Sequence, residues 1–193
     1  KTADLSRKHK VKVSTSGVIS IMGGKLTTYR KMSEHTVDEV VKHTGKAKKC
    51  KTKNLQFIGA KGFKSSMLNG ADAHLAERFG SELNKVKELI SQDPSLGEPL
   101  IAGLPYLRAE AVFACRNEMA QTLDDVLSRR TRARIINRRA TLASARKVAE
   151  LMATEMNWDS AEIDRQVALF VDSCSREEAA GMVSEAEFLA SVQ

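Results

Sequence analysis

Aromatic residues are scarce in this chain, at 5%, and none interrupts its densest run of arginines to stack on a base. Proline is scarcer, with three residues that fall together in one loop between positions 94 and 105. The three cysteines, Cys50, Cys115 and Cys174, are odd in number and far apart. No pair has the spacing of a metal site or a redox motif, so reduced thiols in a reducing compartment are expected. No stretch approaches the ~18 apolar residues of a membrane-spanning helix. The opening KTADLSRKHKVKV has no apolar core of the kind a signal peptide requires, and without an initiating Met it reads as the continuation of a longer chain. His35, His43 and His74 share no metal-like spacing with acids or cysteines, so no metal is expected. No Ser/His/Asp or Cys/His arrangement suggests nucleophilic catalysis, and no G-x-G-x-x-G run is present to cradle a dinucleotide.

What is there has the composition of an ordinary globular protein, 42% hydrophobic and 28% charged. Helix-favouring Ala, Leu, Glu, Lys and Arg dominate the second half. The net charge of +7 is compatible with nucleic acid, an anionic membrane surface or a phosphorylated ligand, and does not choose among them.

Residues 9–22 read as a β-hairpin around a Ser14–Gly17 turn, with Val11 and Val13 on one face. The apolar run Val18–Met22 suits a strand buried on both faces, as in parallel sheets. Gly23-Gly24 ends it, and from Thr27 the period turns helical, with Tyr29, Met32, Val37, Val40 and Val41 on a broad face, until Thr44-Gly45 stops it. Lys46–Lys53, with five lysines in eight residues, reads as a solvated linker. Leu55–Ile58 comes next as an extended patch, and Gly59–Gly62 reads as a domain boundary, giving domains over 1–60 and 61–193.

Beyond it the pattern is helical. Short helices over 71–79 and 82–91 break at Gly80, and a Pro/Gly loop precedes a helix from Leu107 with Ala111, Val112, Cys115 and Met119 on one face. Thr122 with Asp125 forms a capping pattern for a helix holding Leu123, Val126 and Leu127. Residues 134–156 read as one long amphipathic helix. Trp158 reads as a packing anchor beside a start capped by Asp159 and Glu162, ahead of Ile163, Val167, Phe170 and Cys174, and Ser184 with Glu187 repeats that signal. The expected fold is mainly α: a C-terminal α-helical domain preceded by a β-hairpin and helix left over from an α/β domain.

The segment with most chemistry is GVISIMGGKLTTYRKMSEHTVDEVV, residues 17–41. Glycines at the end of a strand let a ligand approach the backbone, and the helix start offers unpaired N–H groups with partial positive charge. Lys25 adds a full charge beside them.

Within it, GGKLTTYRKMSEHTVD resembles the segment that FAD-dependent glycerol-3-phosphate dehydrogenases carry at the end of their FAD domain. TADLSRKH at residues 2–9 is similar to the stretch just upstream in that family, and RAEAVFACRNEMAQTLDDVLSRRTRAR at 108–134 to the signature of its C-terminal helical domain. The three segments stand in the family's order and extend over most of the chain. The resemblance implies oxidation of glycerol 3-phosphate at its middle carbon to dihydroxyacetone phosphate, by hydride transfer to FAD and onward transfer to quinone. It places Gly23, Gly24, Lys25, Leu26, Thr27 and Thr28 at the pyrimidine end of the flavin, with Lys25 close to flavin and substrate as the catalytic candidate. Arg7 is similar in position to an arginine that holds the substrate, and its planar fork suits phosphate; His9 reads as a surface residue at a strand start. The implied localisation is cytoplasmic, peripherally associated with the cytoplasmic face of the inner membrane, with a homo-oligomer and an anionic membrane surface as further partners.

The departure from the family is incompleteness. With no glycine fingerprint and most of the substrate domain missing from these residues, the chain alone is expected to be inactive and without FAD, its hairpin leaving apolar edges exposed. Arg129, Arg130, Arg132, Arg134, Arg138 and Arg139 crowd into eleven residues, but Asp124, Asp125 and Glu118 offer salt-bridge partners, so the cluster reads as structural and no nucleic acid is expected. The alternative is a stand-alone helical interaction module for oligomerisation or membrane-surface contact.

Overall fold

In a computed structural model describing residues 8–45, 48–70 and 72–182, alternating residues build a hairpin at the N-terminal side. Strand β1 (Lys10–Val13) pairs antiparallel with β2 (Ile19–Met22), Val11 opposite Ile21 and Val13 opposite Ile19. Gly17 takes a positive φ of 83°, and the Ser14 and Val18 backbones close the turn. The expectation of a doubly buried strand is corrected: β2 has one antiparallel partner, only Ile19 and Ile21 are half-buried, and Val18 is 59% exposed. A two-stranded sheet with helix contact on one side has too few neighbours to bury both faces.

Leu26–Thr28 form a 3₁₀ turn that runs into helix α1 (Tyr29–Thr44), close to the expected Thr27 start. Gly45 ends α1 in the left-handed conformation, its N–H donating to the Val41 carbonyl. Helix α1 packs against both strands. Of its expected apolar face, Met32 and Val41 are half-buried while Tyr29, Val37 and Val40 remain exposed.

The chain divides between Phe57 and Ile58 into two compact units. The second is helical: α2 (Ala73–Phe79), α3 (Leu83–Gln92), α4 (Arg108–Asn117), α5 (Ala133–Ile136), α6 (Arg138–Met156) and α7 (Ser160–Gly181). The break expected at Gly80 is present. Gly59 accepts the Ser81 N–H at 2.9 Å. A Cβ on Gly59 would strike the Phe79 carbonyl and one on Gly80 the Gly59 carbonyl, so two glycines allow the chain to cross itself here.

Two apolar clusters share α4. Leu75, Phe79, Leu83 and Val86 meet Val112 and Phe113 on one side, with Phe79 and Phe113 edge to face at 5.0 Å. On the other, Ala111 and Ala114 join Leu123, Val126, Leu127, Val148, Met152, Phe170 and Cys174. Trp158 packs on this second cluster, as expected.

Three expectations are corrected. Helix α4 stops at Asn117; Met119 has φ +57° and is 81% exposed, because Ala120 turns back to donate to the Ala114 carbonyl. The Thr122–Asp125 capping pattern forms reciprocally, Thr122 N donating to Asp125 Oδ2 at 3.0 Å and Asp125 N to Thr122 Oγ1 at 3.1 Å. It opens a π-helical turn, Asp125–Arg130, rather than an α-helix, and Thr131 N donates to the Val126 carbonyl five residues back. The single helix expected over 134–156 is broken at Asn137, whose side chain accepts the Ala140 N–H and restarts the helix as α6. Asp159 caps α7 by accepting the Glu162 N–H at 2.8 Å. The Ser184–Glu187 signal lies outside the described residues.

Candidate functional site

The turn after β2 is built by two successive glycines, Gly23 at φ +75° and Gly24 at φ +81°. A side chain at either position would be strained by the positive φ and crowded: a Cβ at Gly23 would lie 3.0 Å from the Lys8 carbonyl, and one at Gly24 would lie 2.5 Å from Sδ at the flexible end of Met32. Lys25 is extended, at φ −138°. Thr28 then locks the turn, its hydroxyl accepting from Lys25 N at 3.1 Å and donating to the Lys25 carbonyl at 2.9 Å.

The candidate residues Gly23, Gly24, Lys25, Leu26, Thr27 and Thr28 therefore form one exposed corner beside a groove of about 650 Å³ floored by Ile21 and Met32. Leu26 is 89% exposed. The amides of Leu26 and Thr27 lead the helical segment, where N–H groups have no intrahelical acceptor. Thr28 spends its hydroxyl inside the turn, so Thr27 carries the hydroxyl that remains for a ligand. Arg7, the substrate-binding candidate, lies outside the described residues.

The surroundings are basic but buffered. Arg30 pairs with Glu34 at 2.9 Å and also reaches Thr52 at 3.1 Å. Hydrogen bonds from Lys31 and Arg30 hold the Glu34 carboxyl below its ordinary pKa.

One pair was not legible in the sequence. His9 Nε2 and His35 Nδ1 are 2.7 Å apart, their rings tilted with centroids at 4.8 Å. His9 is half-buried here, rather than the surface residue expected at a strand start. The two histidines are 26 positions apart and nothing in their spacing links them. The signal that could have found them is their place, His9 closing the first family-like segment and His35 lying near the end of the second.

In the helical unit the arginines find the expected acids. Arg129 meets Asp124 at 2.7 Å and Asp125 at 3.1 Å, and Arg134 meets Asp124 at 3.3 Å; Arg134 also meets Glu177 at 2.6 Å, a partner the sequence reading did not name. Glu118 contributes its backbone carbonyl to Arg130 rather than its carboxylate. A second group missed in the sequence is Glu110, fully buried, which accepts from His74 at 3.0 Å, Arg78 at 2.5 Å and Leu107 N at 2.9 Å. Burial pushes the Cys115 thiol up to about 11, the wrong direction for a nucleophile. Among the described residues no group of three or more His, Cys, Asp or Glu could hold a metal, and no helix is long and apolar enough to cross a membrane.

A family profile described as the C-terminal domain of alpha-glycerophosphate oxidase matches residues 50–163. The chain belongs to this family. Glycerol-3-phosphate dehydrogenase 2 of Mycobacterium tuberculosis is 34% identical over 184 residues, covering 88% of this chain and 31% of that protein. The human mitochondrial glycerol-3-phosphate dehydrogenase is 34% identical over 181 residues, 86% of this chain and 25% of its own length. The crystal structure of glycerol-3-phosphate dehydrogenase from Bacillus halodurans, complexed with FAD, superposes with a TM-score of 0.67 at 29% identity, over 86% of this chain and 36% of that one. The chain thus spans about a third or less of the relatives it matches. The resemblance to the C-terminal portion of FAD-dependent glycerol-3-phosphate dehydrogenases, read from three segments, is borne out by these matches, and so is the mainly α fold.

Proposed function

We propose that this chain is the C-terminal part of a flavoprotein that oxidises sn-glycerol 3-phosphate to dihydroxyacetone phosphate by hydride transfer to FAD, passing the electrons on to quinone. The observation that carries the reading is the Gly23-Gly24 corner, a side-chain-free backbone with Lys25 and the first helical amides beside it. The donor set fits the electron-rich edge of a flavin. Two glycines permit close approach, the Leu26 and Thr27 amides and the start of the helix favour negative charge, and Lys25 adds a full positive one.

FAD, when bound, supplies the hydride acceptor for the carbon bearing the middle hydroxyl. Lys25, with the helix start, provides positive potential that needs no reorganisation as negative charge accumulates beside it. Thr28 holds Lys25 in its extended conformation from both sides of its peptide unit. Arg7 is the proposed clamp for the substrate phosphate, where two parallel hydrogen bonds fix orientation. Since quinone is lipid-soluble, we propose that the full-length protein lies peripherally at the cytoplasmic face of the inner membrane, where the +7 charge of this chain favours anionic lipid. The isolated chain, with no dinucleotide fingerprint, is expected to be inactive.

The test is Lys25→Met in the full-length protein, assayed with glycerol 3-phosphate and a soluble quinone analogue. The expected outcome is retained flavin and a kcat lower by roughly 10²–10³, the cost of removing one preorganised charge-stabilising donor. Unchanged kcat would remove Lys25 from the site.

A further inference from the structure

We infer that residues 48–57, laid along α1, form the surface by which the protein sits on a bilayer of anionic lipid. This names the contact for the membrane placement proposed above and rests on that reading.

The positive charge of the chain is not spread evenly. Between Glu39 and Asp72 the sequence holds eight lysines and no acid, so this stretch carries the net charge of +7 and the rest is close to balance. On α1, Lys31 pairs with Glu34 at 3.1 Å and Lys42 with Glu39 at 2.6 Å. Lys48, Lys49, Lys51 and Lys53 are exposed, and among the described residues none of them makes an ion pair.

The same segment displays apolar side chains. It is fixed to α1 through Thr52, whose hydroxyl accepts from Arg30 Nη1 at 3.1 Å and lies 3.1 Å from Cys50 Sγ. A 3₁₀ turn at Thr52–Asn54 leads on to Leu55 and Phe57, which are 72% and 76% exposed. These two, with Tyr29 and Val37 of α1, line an open groove of about 450 Å³ that Lys48 and Lys51 also border. Two acids border it as well: Glu34, held by Arg30 and Lys31, and Asp38, outnumbered by the four lysines.

Lysines around an apolar groove select the occupant. A protein surface seated here needs an acid for each ammonium group it takes out of water, and lysine is depleted at such interfaces. A second copy meeting this face would set lysine against lysine. The phosphates of a nucleic acid match the lysines but leave the groove unused. Anionic lipid answers both features, with the ammonium groups at the headgroups and Leu55 and Phe57 entering the apolar boundary beneath them. Tyr29 and Val37 also line the groove beside Gly23–Lys25, so a bilayer on this face brings a lipid-soluble acceptor next to the flavin corner.

The experiment uses the full-length flavoprotein and co-sedimentation with vesicles of phosphatidylcholine, alone or in an equal mixture with phosphatidylglycerol. The variants are Lys48→Gln with Lys51→Gln, the same pair with Lys49→Gln and Lys53→Gln added, and Leu55→Ser with Phe57→Ser. The control, Arg139→Gln with Lys147→Gln, removes exposed cations of the helical unit that make no ion pair among the described residues. Binding to the mixed vesicles is expected to weaken roughly 5-fold per lysine removed and about 10-fold for the Leu55 and Phe57 pair. The control should change it little, and turnover of a soluble quinone analogue should be retained throughout. Added salt should erase the lysine effect and leave the apolar one.

Wild-type protein that ignores the mixed vesicles overturns the membrane placement and this surface with it. If the wild type binds and the control weakens binding as much as the Lys48 and Lys51 pair, the surface alone fails, because net charge then suffices. It fails too if the Leu55 and Phe57 variant loses flavin or melting temperature yet still binds vesicles, the mark of a face covered by protein. A DNA duplex bound as tightly as the vesicles, and released by the same lysine variants, also overturns it.

Discussion

Glu110 holds its carboxylate out of water while it accepts from His74, Arg78 and the Leu107 amide. Arg78 in turn donates to the Arg130 carbonyl at 2.9 Å and lies 4.9 Å from the Tyr106 ring centre. Removing the anion would strand a largely covered guanidinium, so Glu110→Ala should cost about 3 kcal/mol. Urea unfolding of this chain measures it, and the paired change Glu110→Leu with Arg78→Met should recover much of the loss. At the surface, side-chain hydrogen bonds from Arg165 and Gln166 lower the Glu162 carboxyl to about 2 from 4.5. Its folded pKa is depressed, so its stabilising contribution is complete above pH 4.5 and disappears as pH falls through the folded value near 2. Arg165→Gln should raise the Glu162 titration toward 4.5, read from its carboxyl chemical shift. Neither arrangement was legible beforehand, because a buried acid is known only when its partners, 32 and 36 positions away, fold onto it, and a surface pair only when its rotamers are set.

Helix beginnings were the most legible elements, since a cap is decided by residues three apart. Thr122–Asp125 and Asp159–Glu162 both formed as their spacing predicts. Helix interiors were less so. Residues 134–156 read as one helix because of the apolar period from Leu142 to Met152, but that period says nothing about the backbone before it, where the chain breaks at Asn137. Asn137 works as a cap there, so Asn137→Ala should destabilise the chain by about 1 kcal/mol, whereas an Asn in mid-helix would gain from the same change. A urea melt distinguishes the two signs. Met119 was misassigned for a related reason: its apolar side chain continues the face of Ala111 and Cys115, but the helix ends at Asn117, leaving it exposed. At the candidate corner, the Gly-Gly-Lys sequence and helix start were legible from local chemistry, while the Thr28 lock and the histidine pair needed coordinates.

Across the whole molecule, every fully buried apolar residue among those described lies between Leu75 and Cys174. Residues 8–57 bury none completely among those described. The two stretches should therefore behave differently as fragments: one spanning 58–193 is expected to unfold cooperatively by calorimetry, and one spanning 1–57 to give no cooperative transition. A cooperative melt from the shorter fragment would show that the hairpin and α1 hold a core of their own. The sequence showed the change from period two to period 3.6 near the glycine pair, but an apolar strand looks the same whether or not its neighbours are present, so β2 was read as buried. Helix α7 supplies the last pieces of the larger cluster, with Phe170 and Cys174 in the core and Gln166 Oε1 accepting the buried Leu123 amide at 3.1 Å. During synthesis, then, the earlier helices must wait. Leu123, Leu127 and Met152 leave the ribosome with no lid over them, and the core can close only after the codons for Phe170 and Cys174 have been read. A premature stop just before them releases an open, sticky intermediate rather than a smaller domain.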